Sequence, residues 1–220
     1  MGWAGSGVLI AWHDLAEGRE AEYLDWHSHE HMQERLAVPG FMEARRYSVV
    51  GTGPAHLILY VAVGPRVFET QAYLERLNQP SVRTQRIMPA LLNMNRSLCR
   101  IEASRGFGAG RWLQTLRFSP VPGCEARLRD TLMGKVQWLA TQPGLCAAHL
   151  LISDRNRGRI PPREAALRGG QDTMADWVLL IEGYSPATVA QDQTVFLWQN
   201  GAGPEVASNL YEIDHIGLDH

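Results

Sequence analysis

Cysteine is scarce in this 220-residue chain: Cys99, Cys124 and Cys146 are the only three, far apart and in no CxxC spacing. That argues against a disulfide framework and against a thiolate zinc site, and the three read as buried free thiols. Long apolar runs are missing too. The opening MGWAGSGVLIAW has neither a basic leader nor a long apolar core. No later run approaches the roughly 18 residues needed to span a bilayer, so the expectation is a soluble cytoplasmic protein without a membrane partner. An excess of one charge is also lacking. The formal net charge of -2 gives no general electrostatic reason to expect nucleic acid. GxGxxG, P-loop and GxSxG motifs are absent, which weighs against dinucleotide, nucleoside triphosphate and serine-hydrolase chemistry.

What is present is a chain able to bury a real core, and its punctuation repeats. Residues 7–14 form a short β-rich apolar run, 18–36 are charged with helical apolar spacing, and Pro39 with Gly40 stops the helix. Residues 41–50 alternate as a strand, Thr52, Gly53 and Pro54 turn the chain, and 56–63 are a continuous apolar strand. Helical pieces at 65–77 and 81–92 follow, and 97–103 close the unit, giving βαββαβ. After Gly106, Gly108 and Gly110 the order returns. There is a strand at 111–118, a helix at 125–140 stopped by Pro143 and Gly144, strands at 145–153 and 177–184, a helical stretch at 186–199 and a closing strand at 209–216. SLCRIEA at 97–103 matches NLYEIDH at 209–215 in kind, with Leu98 on Leu210, Ile101 on Ile213 and Glu102 on Asp214. Matched anchors in matched order point to a tandem duplication, with a first repeat at 1–106 and a second at 107–220.

One such unit would leave a sheet face bare unless the other covered it. The element order, its duplication and the run WHxxEH…ERLxxPGFxxxRRY between Trp26 and Tyr47 resemble the dimeric α+β barrel superfamily, and within it the EthD-like and related uncharacterised members. The resemblance implies an α+β fold of two ferredoxin-like units whose antiparallel sheets pack face to face as an intrachain pseudo-dimer. Known barrels of this kind include isomerases, cyclases, monooxygenases and degradation accessories, so fold alone does not choose among activities.

The two first helices, aligned through their Pro-Gly stops, differ in what they would bury. Leu128, Leu132, Val136 and Leu139 make an apolar stripe in the second. Leu24, Ser28, Met32 and Arg35 answer in the first, with His27 and His31 beside them. A buried arginine needs solvent or an anion, so this polar underside predicts a pocket. His31 is expected to act as acid or base, with Glu30 as its orienting partner and His27 as a second polar contact. Arg35 and Arg46 are expected to hold a substrate anion, with Trp26, Ser28 and Tyr47 as further substrate contacts. The histidine spacing misses the HExxH zinc pattern, because Gln33 stands where its second histidine would be.

These features predict a cofactor-independent, metal-free enzyme or binding protein for a small apolar or aromatic metabolite bearing a carboxylate or carbonyl. The chemistry would be of isomerase, cyclase, lyase or monooxygenase type. Competing readings are a non-catalytic assembly module that uses the polar helix as a contact surface, and a haem- or metal-dependent barrel enzyme. A homodimer beyond the intrachain pairing is a further expectation. Residues 155–174, rich in arginine, glycine and proline, are an insertion relative to the first unit and are expected to form a flap over a cavity mouth.

Overall fold

The computed structural model describes residues 2–154, 163–169 and 172–218. Eight strands close into one antiparallel barrel. They are β1 Gly7–Leu15, β2 Phe41–Val50, β3 His56–Ala62, β4 Leu91–Gly106, β5 Trp112–Pro120, β6 Leu145–Ser153, β7 Trp177–Gly183 and β8 Ala202–Leu218. Their order around the barrel is β1-β3-β2-β8-β5-β7-β6-β4. Each half contributes the sheet expected of a ferredoxin-like unit, β4-β1-β3-β2 from the first and β8-β5-β7-β6 from the second. This is the dimeric α+β barrel arrangement within one chain.

Closure explains why the last strand of each half is longer than the sequence predicts. One stretch of β4 pairs with β1 of its own unit, and the stretch from Cys99 to Gly106 pairs with β6 of the other. β8 likewise pairs with β5 and then, through Leu210 to Leu218, with β2. Each closing strand thus satisfies the backbone groups of the other unit's edge strand, and no open edge is left to aggregate. The hydrophobic pattern of either half by itself carries no sign of this exchange.

Strand alternation sorts side chains into three cores. Along β1, Val8, Ile10 and Trp12 point into the barrel to meet Leu57, Leu59, Leu113 and Leu180, whereas Leu9 and Ala11 face the covering helices. The second unit is covered by α5 Glu125–Leu139, whose Leu128, Leu132, Val136 and Leu139 are all buried as expected. Burying each such side chain contributes roughly 2 kcal/mol. Both first helices stop where predicted, because Gly40 and Gly144 take φ of 99° and 88°, a region that costs glycine little.

Over the first unit lie α1 Glu20–Trp26, a π-helical turn His27–His31, α2 Met32–Leu36, α3 Gln71–Asn78 and α4 Val82–Ile87. The predicted flap lies partly outside the described residues, at 155–162 and 170–171. Its described part includes the short helix α6 Arg163–Arg168, which belongs to the second half but packs on α3, α4 and the turn Met88–Ala90 of the first. Among the described residues no helix is long and apolar enough to cross a membrane. The cysteines are free, but only Cys99 is buried. Cys124 sits at the start of α5 and Cys146 at the start of β6, and both are half-exposed because element ends are less covered than centres.

Candidate active site

The first helix is continuous in direction but not in winding. A π turn adds about one residue to a turn and is frequent at functional sites. Here it spans HSHEH and keeps His27 and His31 buried on the same side as Tyr23, Trp26 and Arg35. The expected inner stripe of Leu24, Ser28, Met32 and Arg35 is therefore corrected. Leu24 and Ser28 are only half-buried, and Ser28 turns toward β8, where its hydroxyl meets His215 Nδ1 at 2.9 Å.

Beneath this helix, against β1 and β3, lies a small cavity of about 50 Å³. Its walls include Trp26, His27, His31, Arg35, Tyr60 and Tyr73, with His13 and Tyr23 at one side and Glu164 and Arg168 of α6 at another. His13 Nε2 and Tyr23 Oη are 3.0 Å apart, and burial, with His56 nearby, pushes the His13 imidazole down to about 3. His27 lies between two fixed partners, Tyr60 Oη at 3.1 Å from Nε2 and Arg46 Nη1 at 3.4 Å from Nδ1. A guanidinium can only donate, so Nδ1 accepts and Nε2–H donates to the tyrosine. Burial and the Arg46 charge hold His27 well below the usual histidine range, hence neutral.

His31 packs its ring on Trp26, with centroids 4.4 Å apart. The indole is pinned in turn by its Nε1–H bond to Thr84 Oγ1 at 3.1 Å. Burial, then Arg35, then His27 hold His31 well below its ordinary value, so near neutral pH it is an uncharged imidazole able to take a proton. Its Nδ1 is buried without a partner, as is Nη1 of Arg35. Burial opposes the Arg35 charge, but Glu164, Tyr73 and Tyr60 together outweigh it and keep the guanidinium protonated. The Arg35–Glu164 ion pair is itself buried, and the guanidinium also stands 5.8 Å from the centre of the Tyr73 ring.

Of the predicted site residues, His27, His31, Arg35 and Trp26 come together at the cavity. Arg46 stands behind His27, reaching Ser28 Oγ at 2.9 Å, the Leu24 carbonyl at 3.1 Å and Asp214 at 3.3 Å. Arg46 and Ser28 thus position His27 and hold the helix against β8; they do not line the cavity. Glu30 is not the partner of His31: it turns to α4, where Ser81 and Thr84 donate to it, and so it braces the residue that holds Trp26. Tyr47 lies on the opposite face of β2, inside the barrel, with its hydroxyl 3.4 Å from Arg45 Nη1. The strand period makes neighbours on β2 face opposite ways, so Arg46 and Tyr47 could not both reach one site.

Sequence reasoning missed His13, Tyr23, Tyr60, Tyr73, Arg96, Glu164 and Arg168. Alternation places His13 with Leu9 and Ala11, and Tyr60 with Ile58, on the helix-facing side, a signal that was available. Nothing in the sequence paired Glu164 with Arg35 across 129 positions.

A second polar cluster closes the far end of the barrel. Buried Glu182 accepts from Arg45 Nη1 at 2.8 Å and from Gly110 N–H at 3.0 Å, and lies 3.0 Å from His149 Nε2. Trp3 stacks on His149 at 3.7 Å. Every charge there is matched, and burial of this quality holds the two units in register. Among the described residues no group of three or more His, Cys, Asp or Glu side chains comes together that could hold a metal ion.

No protein-family profile matches the chain, and no curated protein matches it. Solved structures do. An anthrone oxidase-like protein superposes with a TM-score of 0.68 at 14% identity, covering 99% of this chain and 94% of its own. A protein of Fusobacterium nucleatum subsp. nucleatum, provisionally named a monooxygenase, gives 0.65 at 8% identity over 98% and 96%. A protein provisionally named a chlorite dismutase gives 0.54 at 16% over 95% and 94%. At these identities the likeness is one of fold, and it extends over both halves.

Proposed function

We propose that the chain is a small-molecule enzyme in which neutral His31 removes a proton from an apolar or aromatic substrate and Arg35 holds the oxyanion that results. One observation carries this reading. His31 Nδ1 and Arg35 Nη1, a proton acceptor and a donor, are both buried without partners in residues that wall the same aromatic cavity. Unpaired polar atoms at such depth cost about 1–3 kcal/mol each, a cost that a ligand offering one acidic C–H or O–H and one oxygen removes.

The chemistry follows from the charges. Protonating His31 beside Arg35 is unfavourable by itself, as its lowered pKa records. Transfer becomes feasible when the same step creates a negative oxygen between the new imidazolium and the guanidinium, because the pair then compensates in a dry site. His27, neutral and held by Tyr60 and Arg46, keeps the π turn and therefore His31 in place. No step requires a cofactor, and the names of the fold neighbours, anthrone oxidase-like and monooxygenase, fit substrates whose carbanion or phenolate reacts onward with oxygen. The inner polar residues His27, His31 and Arg35 are buried, which favours a pocket over a contact surface at those positions.

Phenylpyruvate, an aromatic 2-keto acid with an acidic benzylic CH2, is the first compound to try. In D2O the wild type should accelerate exchange of those hydrogens, followed by proton NMR, and His31→Gln should lose at least tenfold of that acceleration while melting as the wild type does. Equal exchange rates for the two proteins, or none above buffer for a panel of such carbon acids, would discard the assignment.

A further inference from the structure

The cavity holds about 50 Å³, room for a water or two, whereas small-molecule sites run to about 300 Å³ or more. A ligand must therefore displace something. Three arginines, Arg35, Arg96 and Arg168, wall this space. Arg168 is met by Asp172 at 2.5 Å. Arg96 donates to the Tyr73 hydroxyl at 2.8 Å and, among the described residues, meets no carboxylate. Among the described residues the one carboxylate that meets Arg35 is Glu164, carried not by the site's own unit but by α6, six residues long, inserted from the other half. Of the elements around the cavity, α1 and α2 are anchored by Tyr23, Trp26 and Met32 deep in the core. α6 places half-buried Leu167 at the margin of that core and turns Glu164 and Arg168 to the cavity.

From this geometry we infer that the Glu164 carboxylate occupies the place of the ligand's own anionic group, and that α6 is the element the ligand displaces. The ligand class is then an aromatic or flat apolar carboxylate. Its carboxylate takes over Arg35, its frame fills the space vacated by Glu164 and Leu167 between Trp26, Tyr60 and Tyr73, and its acidic hydrogen faces His31. A neutral ligand is disfavoured by the same arrangement, because displacing Glu164 without replacing its charge leaves Arg35 buried and unmatched. This inference rests on the cavity being the site proposed above and adds the identity of the group that Arg35 selects. Because Glu164 is tethered, it competes at an effective concentration on the order of millimolar, so wild-type affinity for a carboxylate is held down by the protein's own side chain.

Calorimetric titration with 1-naphthoate and with the uncharged 1-naphthamide tests this directly. Glu164→Gln removes the competing charge at nearly constant shape. It should bind naphthoate at least tenfold tighter than wild type does and at least tenfold tighter than it binds naphthamide, and Arg35→Gln added to it should abolish both the gain and the preference. Amide exchange at 163–168 in the wild type should speed up on naphthoate saturation, a readout that stands even where Glu164→Gln folds poorly. Equal naphthoate affinity in wild type and Glu164→Gln, equal affinity of Glu164→Gln for naphthoate and naphthamide, no naphthoate binding to Glu164→Gln, or unchanged exchange in α6 would each overturn the inference. Should the Glu164→Gln gain appear while His31→Gln leaves proton exchange of phenylpyruvate untouched, the displaced carboxylate stands and the acid–base reading falls; the reverse pattern removes only the displacement.

Discussion

Lowering the pH from 7 to 5 should strip this protein of a large part of its stability, and histidines, not carboxylates, should be the cause. His13, His27 and His31 are buried beneath the first helix, and burial is the leading reason each is held below its ordinary value. For His13 the folded value is about 3 against 6.5 when exposed. Between those two limits the unfolded chain binds a proton that the folded one refuses, so stability is complete above about pH 7 and falls as the pH drops. The whole difference corresponds to about 5 kcal/mol, of which about 2 kcal/mol is gone by pH 5. His27 and His31 act in the same direction. A domain has about 5–15 kcal/mol in all, so the three together threaten the fold. Glu182, lowered because Arg45 and His149 outweigh its burial, loses its contribution only below its unfolded value of 4.5. Glu34, which burial raises, works the other way. Between 4.5 and 6.5 the histidines therefore set the direction, against an opposing contribution from Glu34 alone among the carboxylates named. Urea unfolding followed by tryptophan fluorescence at pH 7.5, 6.5, 5.5 and 5.0 should give a falling free energy whose slope exceeds one proton, and His13→Gln should flatten it by about one. A stability level to within about 0.5 kcal/mol across that range would refute the reasoning, because the cost of charging a buried imidazole cannot be hidden from the unfolding equilibrium.

Glu182→Gln leaves Arg45 and His149 converging on a neutral amide inside the barrel end and should cost about 3 kcal/mol or more, seen as a lower urea midpoint. Naphthoate affinity at the distant cavity should be kept. Gly134 lies exposed within α5, and a methyl group added there meets nothing within 4 Å. Gly134→Ala should therefore raise the unfolding free energy by roughly 1 kcal/mol, measured in the same assay. A loss instead would mean that α5 is not the regular helix described.

The fold was legible because its parts obey local rules. Pro39-Gly40 and Pro143-Gly144 stop their helices, alternation marks β2, and the apolar stripe of α5 announces a covered sheet. Two things were not legible. The length of β4 and β8 is set by backbone pairing with the other half, through stretches such as Ser104–Gly106 that have no hydrophobic pattern of their own. The π turn at His27–His31 shifts the inner face by a residue, and helical spacing assumes 3.6 residues per turn throughout. This is why Ser28 was placed inside and why Tyr23, one turn earlier, was overlooked.

The site was half legible for a related reason. Histidines and an arginine on a helix that should be greasy announce a pocket, and His27, His31, Arg35 and Trp26 do wall one. Their partners come from elements that sequence reasoning treats separately: Tyr60 from β3, Tyr73 from α3, Glu164 from an insertion in the other half. Glu30 looked like the natural companion of His31 because it is adjacent, but adjacent residues on a helix point about 100° apart, and Glu30 meets α4 instead. The residue that does balance the site's charge is 129 positions away from Arg35. On the function proposed above, that distance would place control of one half's chemistry in the other half, and it would give the second unit a reason to carry an insertion that the first unit lacks.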